Sequence, residues 1–92
     1  MAKTLMNEQI RVRLITPDVV AFDEKVTMVA IPGEEGDFSF LPKHAPFSSS
    51  LRAGTVRIYK EDKISNTFDI TGGFAEIIND ECQILADGLG DL

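Results

Sequence analysis

Apolar and polar positions alternate with period two along most of this chain, the spacing of half-buried β-strands. In "QIRVRL" (9–14), Ile10, Val12 and Leu14 face one way while Gln9, Arg11 and Arg13 face the other. In "KVTMVAI" (25–31), Val26, Met28 and Ala30 oppose Thr27, Val29 and Ile31. Both of those sets are largely apolar, which predicts a more central strand. "TVRIYK" (55–60) sets Val56 and Ile58 against Arg57 and Tyr59, "TFDITGGFAEII" (67–78) pairs Phe68 with Ile70, and "ECQILA" (81–86) sets Cys82, Ile84 and Ala86 against Gln83 and Leu85.

Turn chemistry separates these runs. Thr16-Pro17-Asp18, "PGEEGD" (32–37), "KEDK" (60–63) and "NDE" (79–81) are short polar connections. Strands at this spacing with such turns predict an all-β fold, a sandwich of two antiparallel sheets. It spans 9–87, with tails at 1–8 and 88–92. Gly72-Gly73 falls inside a strand pattern, where glycine marks a bulge or a close backbone approach. Gly33 and Gly36 bracket Glu34-Glu35, as a connection needing positive φ would. A phosphate cradle there lacks the Lys-Ser/Thr ending and the following helix, and its acids would repel phosphate. There is no internal repeat, low-complexity segment or helical stripe.

Ninety-two residues suit one domain with one modest core. Nine Lys and Arg against fifteen Asp and Glu give a formal net charge of −6, which argues against nucleic acid as a partner. Asp18, Glu34, Glu35, Asp37, Glu61, Asp62, Asp80 and Glu81 fall in the predicted turns, where acids are ordinarily solvated. The single cysteine, Cys82, forms no internal disulfide, offers no metal-ligand spacing, and reads as a small apolar strand residue. No stretch has the length of a membrane span, and the start carries no signal or transit pattern. A reducing, soluble compartment and no direct membrane insertion are expected.

The chain's one histidine, His44, lies in "LPKHAPF" (41–47) between Pro42 and Pro46. As a general base it would need Ser48, Ser49 or Ser50 as nucleophile and an acid such as Asp69 to orient it. No nucleophile elbow surrounds those serines, and no helix follows to build an oxyanion hole. A metal shell would need carboxylates that no local cluster supplies. The prolines instead stiffen the segment, so whatever it presents is presented at low entropic cost. Pro46 and Phe47 stand beside small hydroxyl residues, where an exposed ring could anchor a partner, and Phe22 follows a turn. The ordinary place of each phenylalanine is the core. From composition and pattern, the chain is an acidic β-sandwich acting as a binding module.

Taken in order, "VAIPGEEGDFSFLPKHAPFSSSLRAGTVRI" and "DITGGFAEIINDECQILAD" resemble the N-terminal β-sandwich domain of the epsilon subunit of F-type ATP synthase. The matching pieces are the glycine-acid turn (Gly33 to Gly36), the short strand (Phe38 to Leu41) and the proline-x-histidine-alanine-proline segment (Pro42 to Phe47). Leu51 to Gly54, Gly72 to Glu76 and Leu85 to Asp87 follow in the family's order, so the likeness covers roughly residues 9–87. The ordered combination is specific, though each motif alone is weak.

The resemblance implies a non-catalytic subunit of the central stalk. It would pass rotation of the c-ring through gamma to the catalytic alpha/beta head, for proton-driven ATP synthesis, with no cofactor. It implies c-ring contact through Asp37, joined by Glu34 and Glu35. Gamma contact is placed on Phe22, Pro46 and Phe47, with His44 nearby. It also implies peripheral attachment to the cytoplasmic face of an energy-coupling membrane, that of a bacterium. Family members usually continue into a two-helix C-terminal domain that restrains hydrolysis. This sequence stops at Leu92, so the expectation is a subunit or fragment without that brake. Ser39 and Lys43 stand where the family often has glycine. The competing readings are a free-standing β-sandwich adaptor and a small hydrolase using His44.

Overall fold

The runs that alternate in sequence form strands, two of them broken by a corner. The computed structural model describes residues 8–90. Its strands are β1 (Ile10–Ile15), β2 (Val20–Val26), β3 (Met28–Gly33), β4 (Gly36–Phe40), β5 (Phe47–Leu51), β6 (Gly54–Lys60), β7 (Lys63–Ile70), β8 (Gly73–Ile78) and β9 (Glu81–Ala86). They form one curled sheet in the order β2-β1-β9-β8-β5-β3-β6-β7, with β4 on β3. Between β5 and β3 the only paired residues are Leu51 and Gly33, and there the sheet folds over. The two layers of the sandwich are therefore β2-β1-β9-β8-β5 and β4-β3-β6-β7. All pairings are antiparallel except β1 with β9, which run side by side.

The core is the set of inward positions of both layers. Ile10, Val12 and Leu14 of β1, Val56 and Ile58 of β6, and Cys82, Ile84 and Ala86 of β9 are buried, as their alternation predicts. Phe22 of β2 meets Phe68 of β7 edge-on at 5.8 Å between ring centroids, tying one layer to the other. Burial of such side chains supplies about 1.5–3 kcal/mol each and is the main force holding the layers together.

Of three departures from the sequence pattern, the first two share one cause, the crossing of the chain between layers. "KVTMVAI" is the end of β2 and the start of β3, because Thr27 turns the corner. The Thr27 amide donates to the Tyr59 carbonyl at 3.0 Å, and its Oγ1 donates to the same carbonyl at 2.9 Å. The corner resets the alternation, so Val26, Val29 and Ile31 are buried while Met28 and Ala30 are half-buried. Gly72-Gly73 is likewise a crossing, from β7 in one layer to β8 in the other. A Cβ on Gly73 would lie 2.2 Å from the Leu85 carbonyl oxygen, so the close approach requires glycine. Finally, β5 and most of β2 run through segments that show too little alternation to be read as strands.

Of the tail expected at 88–92, residues 88–90 stay attached, and 91–92 lie outside the described residues. The Thr71 amide donates to the Gly88 carbonyl at 3.0 Å, and Leu89 bridges to Ile70. The strand directions sort the connections into two ends. Turns 16–19, 34–35, 52–53 and 71–72 lie at one end; Thr27, the 41–46 segment and turns 61–62 and 79–80 lie at the other.

Candidate docking surfaces

The acidic turn is the tip of the β3–β4 hairpin. Glu34 and Glu35 are exposed, with Gly33 opposite Gly36 at its base. Gly36 has the expected positive φ of 139°, but Gly33 is needed for a different reason. A Cβ there would stand 2.5 Å from the Gly36 carbonyl oxygen. Asp37, expected to face a partner's basic residue, already has one within the chain: Arg52 Nη2 donates to its Oδ1 at 2.5 Å. Arg52 Nη1 donates to the Gly33 carbonyl at 2.6 Å, so one guanidinium clamps both sides of the hairpin base. Asp37 thus meets the solvent as half of an ion pair. Glu34 and Glu35 have no ion-pair partner among the described residues.

The segment carrying His44 lies at the opposite end. Its stiffness comes from more than the prolines. Lys43 sits in the left-handed region at φ 66°, and its amide donates to Asp80 Oδ1 at 2.7 Å, from a residue itself at φ 60°. Lys43 Nζ also reaches Glu8 at 3.3 Å. The left-handed backbone explains why glycine suits position 43: a Cβ there costs about 1–2 kcal/mol. His44 Nδ1 donates to the Ala45 carbonyl at 2.6 Å, and the ring stands edge-on to Phe40 at 5.6 Å between centroids.

From His44 a string of rings runs along the open side of the sandwich. His44 and Phe47 lie 6.2 Å apart between centroids, and Phe47 meets Phe38 edge-on at 5.0 Å. Phe47 keeps 43% of its surface exposed, and Pro46 beside it is exposed. Phe22 is a correction. At 6% exposure, packed on Phe68, it belongs to the core and has no face to offer a partner. The expected docking set is therefore brought together in His44, Pro46 and Phe47, joined by Phe38, while Phe22 is separate. Sequence reasoning passed over Phe38, Arg52 and Asp80. Neither Arg52 nor Asp80 left a local signal, since each bonds a group far away along the chain.

The hydrolase arrangement is not assembled. Asp69 Oδ1 accepts from Thr55 Oγ1 at 2.6 Å on the β6–β7 ladder. Ser49 Oγ donates to the Ser50 carbonyl at 2.8 Å, and His44 is held by Ala45. Among the described residues no group of three or more His, Cys, Asp or Glu could hold a metal. No helix is long and apolar enough to cross a membrane. Burial pushes the Cys82 thiol up to about 12, which keeps it protonated and inert. On the outer face of β1 and β2, hydrogen bonding to Arg11 holds the Asp23 carboxyl below its usual range, through an Nε–Oδ1 contact of 2.8 Å.

Known proteins match this geometry and sequence over nearly the whole chain. The family described as ATP synthase, Delta/Epsilon chain, beta-sandwich domain matches residues 9–89. A Rhodospirillum rubrum protein named ATP synthase epsilon chain is 40% identical over 87 residues, covering 95% of this chain and 65% of the relative. A Rickettsia prowazekii protein of the same name is 42% identical over 84 residues, covering 89% of this chain and 75% of the relative. A chain in the solved Euglena gracilis mitochondrial ATP synthase, OSCP/F1/c-ring, superposes with a TM-score of 0.81 at 25% identity. That alignment covers 89% of this chain and 52% of the other. The chain thus spans about two thirds of the length of the first of these relatives. With the sandwich and its ordered motifs matched from 9 to 89, the chain belongs to the family of the ATP synthase delta/epsilon chain β-sandwich domain.

Proposed function

We propose that this domain is a non-catalytic coupling element of the central stalk of an F-type ATP synthase, linking gamma to the c-ring. The observation that carries the reading is the family match over residues 9–89. The arrangement of the two surfaces supports it. The exposed acids Glu34 and Glu35, with Asp37 behind them, stand at one end, suited to the polar loops of the ring. The ring-lined side with Phe47, Pro46 and His44 suits gamma. Torque must pass through whatever contact gamma makes, and a stiff apolar seam transmits it better than mobile charged side chains. Exposed ion pairs contribute at most about 1 kcal/mol each, so the acids orient the domain more than they hold it. We assign these residues coupling and not regulation, since the described chain is strand and turn throughout. The catalytic head is reached only through gamma, and the domain works from the cytoplasmic face of the membrane without entering it.

Calorimetric titration of the chain into its cognate gamma subunit tests this, with Phe47→Asp as control. Submicromolar binding that weakens strongly in the folded variant is the expected result. A folded chain that does not bind gamma overturns the stalk role and returns the domain to the free-standing adaptor reading.

A further inference from the structure

Sheet edges are hazards that proteins guard with charge, proline or irregular pairing. In β2 the edge carries Asp23, Glu24 and Lys25, and its register shifts beside Ile15. In β7 the edge begins with Lys63, its register shifts between Ile58 and Tyr59, and Leu89 covers Ile70 at its end. The edge of β5 has none of these devices. It reads Phe47-Ser48-Ser49-Ser50-Leu51, uncharged, and pairs with β8 in unbroken register.

The free side of β5 faces β4 across a groove of about 440 Å³, lined by Glu34 to Phe38 and by Phe47 to Ser50. At the Leu51–Gly33 corner the Ser50 carbonyl accepts from the Glu34 amide at 2.9 Å, which shows that Ser50 turns its backbone polar groups toward β3 and away from β8. Backbone direction alternates along an antiparallel strand. Ser48 therefore points its N–H and C=O the same way, but β3 has by then diverged, so they open into the groove. On the far wall, the Pro32 carbonyl is taken by the Arg52 amide at 3.1 Å instead of by β4. Asp37, opposite Pro32, then turns its own backbone groups away from β3. The floor is the Phe38–Phe47 pair. Small serine side chains let another backbone approach closely.

We infer that the free edge of β5 accepts an extended segment of the stalk partner as an added strand, bonded through the Ser48 N–H and C=O. The inference rests on the gamma-docking reading above and specifies its mode. Charge and shape give the segment's chemistry. Where it nears the Glu34–Glu35 turn, whose acids are left to the ring loops, it carries no acidic side chain, which like charge would repel. Over Phe38 and Phe47 it carries an apolar side chain. Such a contact anchors through main-chain hydrogen bonds along a line, which resists sliding better than a single ring in a pocket.

The experiment is amide-resolved hydrogen exchange of the labelled chain, alone and saturated with unlabelled cognate gamma subunit, with binding of Ser48→Pro measured beside it. The Ser48 amide exchanges freely in the isolated chain and slows by roughly 100-fold in the complex. Ser48→Pro removes a donor that β8 does not use, so it keeps the fold and binds gamma about tenfold or more weakly. If gamma binds and the Ser48 amide stays unprotected, or a folded Ser48→Pro binds normally, strand addition is overturned while the docking reading stands. If gamma does not bind at all, the docking reading fails and takes this inference with it. Should the variant not fold, exchange on the unaltered chain decides.

Discussion

Arg52 Nη2 lies 2.5 Å from Asp37 Oδ1, so an acid expected to meet an external cation is partly neutralised from within. The same guanidinium holds the Gly33 carbonyl at 2.6 Å. Both side chains are well exposed, so solvent discounts the pair to less than about 1 kcal/mol, and the bond to Gly33 adds about as much. Arg52→Ala should lower stability by about 1 kcal/mol in denaturant unfolding and speed amide exchange at Glu34 to Gly36. Arg52→Lys keeps the charge but has no fork to hold both oxygens, and should lie between the two. Unchanged exchange in the hairpin of Arg52→Ala would mean that backbone bonds alone set the turn.

Phe22 and Phe47 separate core from surface. Phe22→Ala leaves a hole between the layers and should cost about 3–5 kcal/mol. Phe47→Ala, at a half-exposed ring, should cost less than about 2 kcal/mol. For binding to gamma the order should invert, with the loss confined to Phe47→Ala among variants that fold. Urea unfolding curves on both, followed by titration of the folded ones, give the comparison.

At Gly73 the backbone has φ 149° and runs against the Leu85 carbonyl. Gly73→Ala must both enter a conformation that side chains rarely adopt and push β9 away. A loss of more than about 2 kcal/mol is expected, centred on the β8–β9 ladder. The melting temperature and exchange at Leu85 and Ala86 report it.

Cys82 should resist alkylation in the folded chain and react readily once urea unfolds it, since reaction needs the thiolate. The sign of its pH effect follows from a folded pKa raised from 9.0 to about 12. The folded state binds that proton more tightly, so the contribution is fully present below pH 9 and is lost as pH rises toward 12. Denaturation curves from pH 8 upward should fall in the native chain and fall less in Cys82→Ala. Equal slopes would remove the thiol as the cause.

The strand class, the inward residues of β1, β6 and β9, and the turns at 34–35, 61–62 and 79–80 were legible along the chain. They depend on neighbours one to three residues apart, where alternation and turn chemistry act directly. The motif order from Gly33 to Asp87 was legible for the same reason, and it pointed to the family that the comparisons then matched. β5 was not legible, because a run of serines has no apolar face, and what makes it a strand is the pairing to β8.

What lay beyond the sequence is everything that joins distant segments. Phe22 and Phe47 both read as rings beside turns; the β2–β7 contact put the first in the core, and the splay of β5 from β4 left the second half open. The Arg52–Asp37 clamp, the Asp80 bond to the Lys43 amide and the free Ser48 edge arise where strands from far apart in the chain meet. A local pattern constrains which way a side chain faces within its strand. It carries no term for which strand lies across the sandwich, since that is set by the joint packing of both layers around one core.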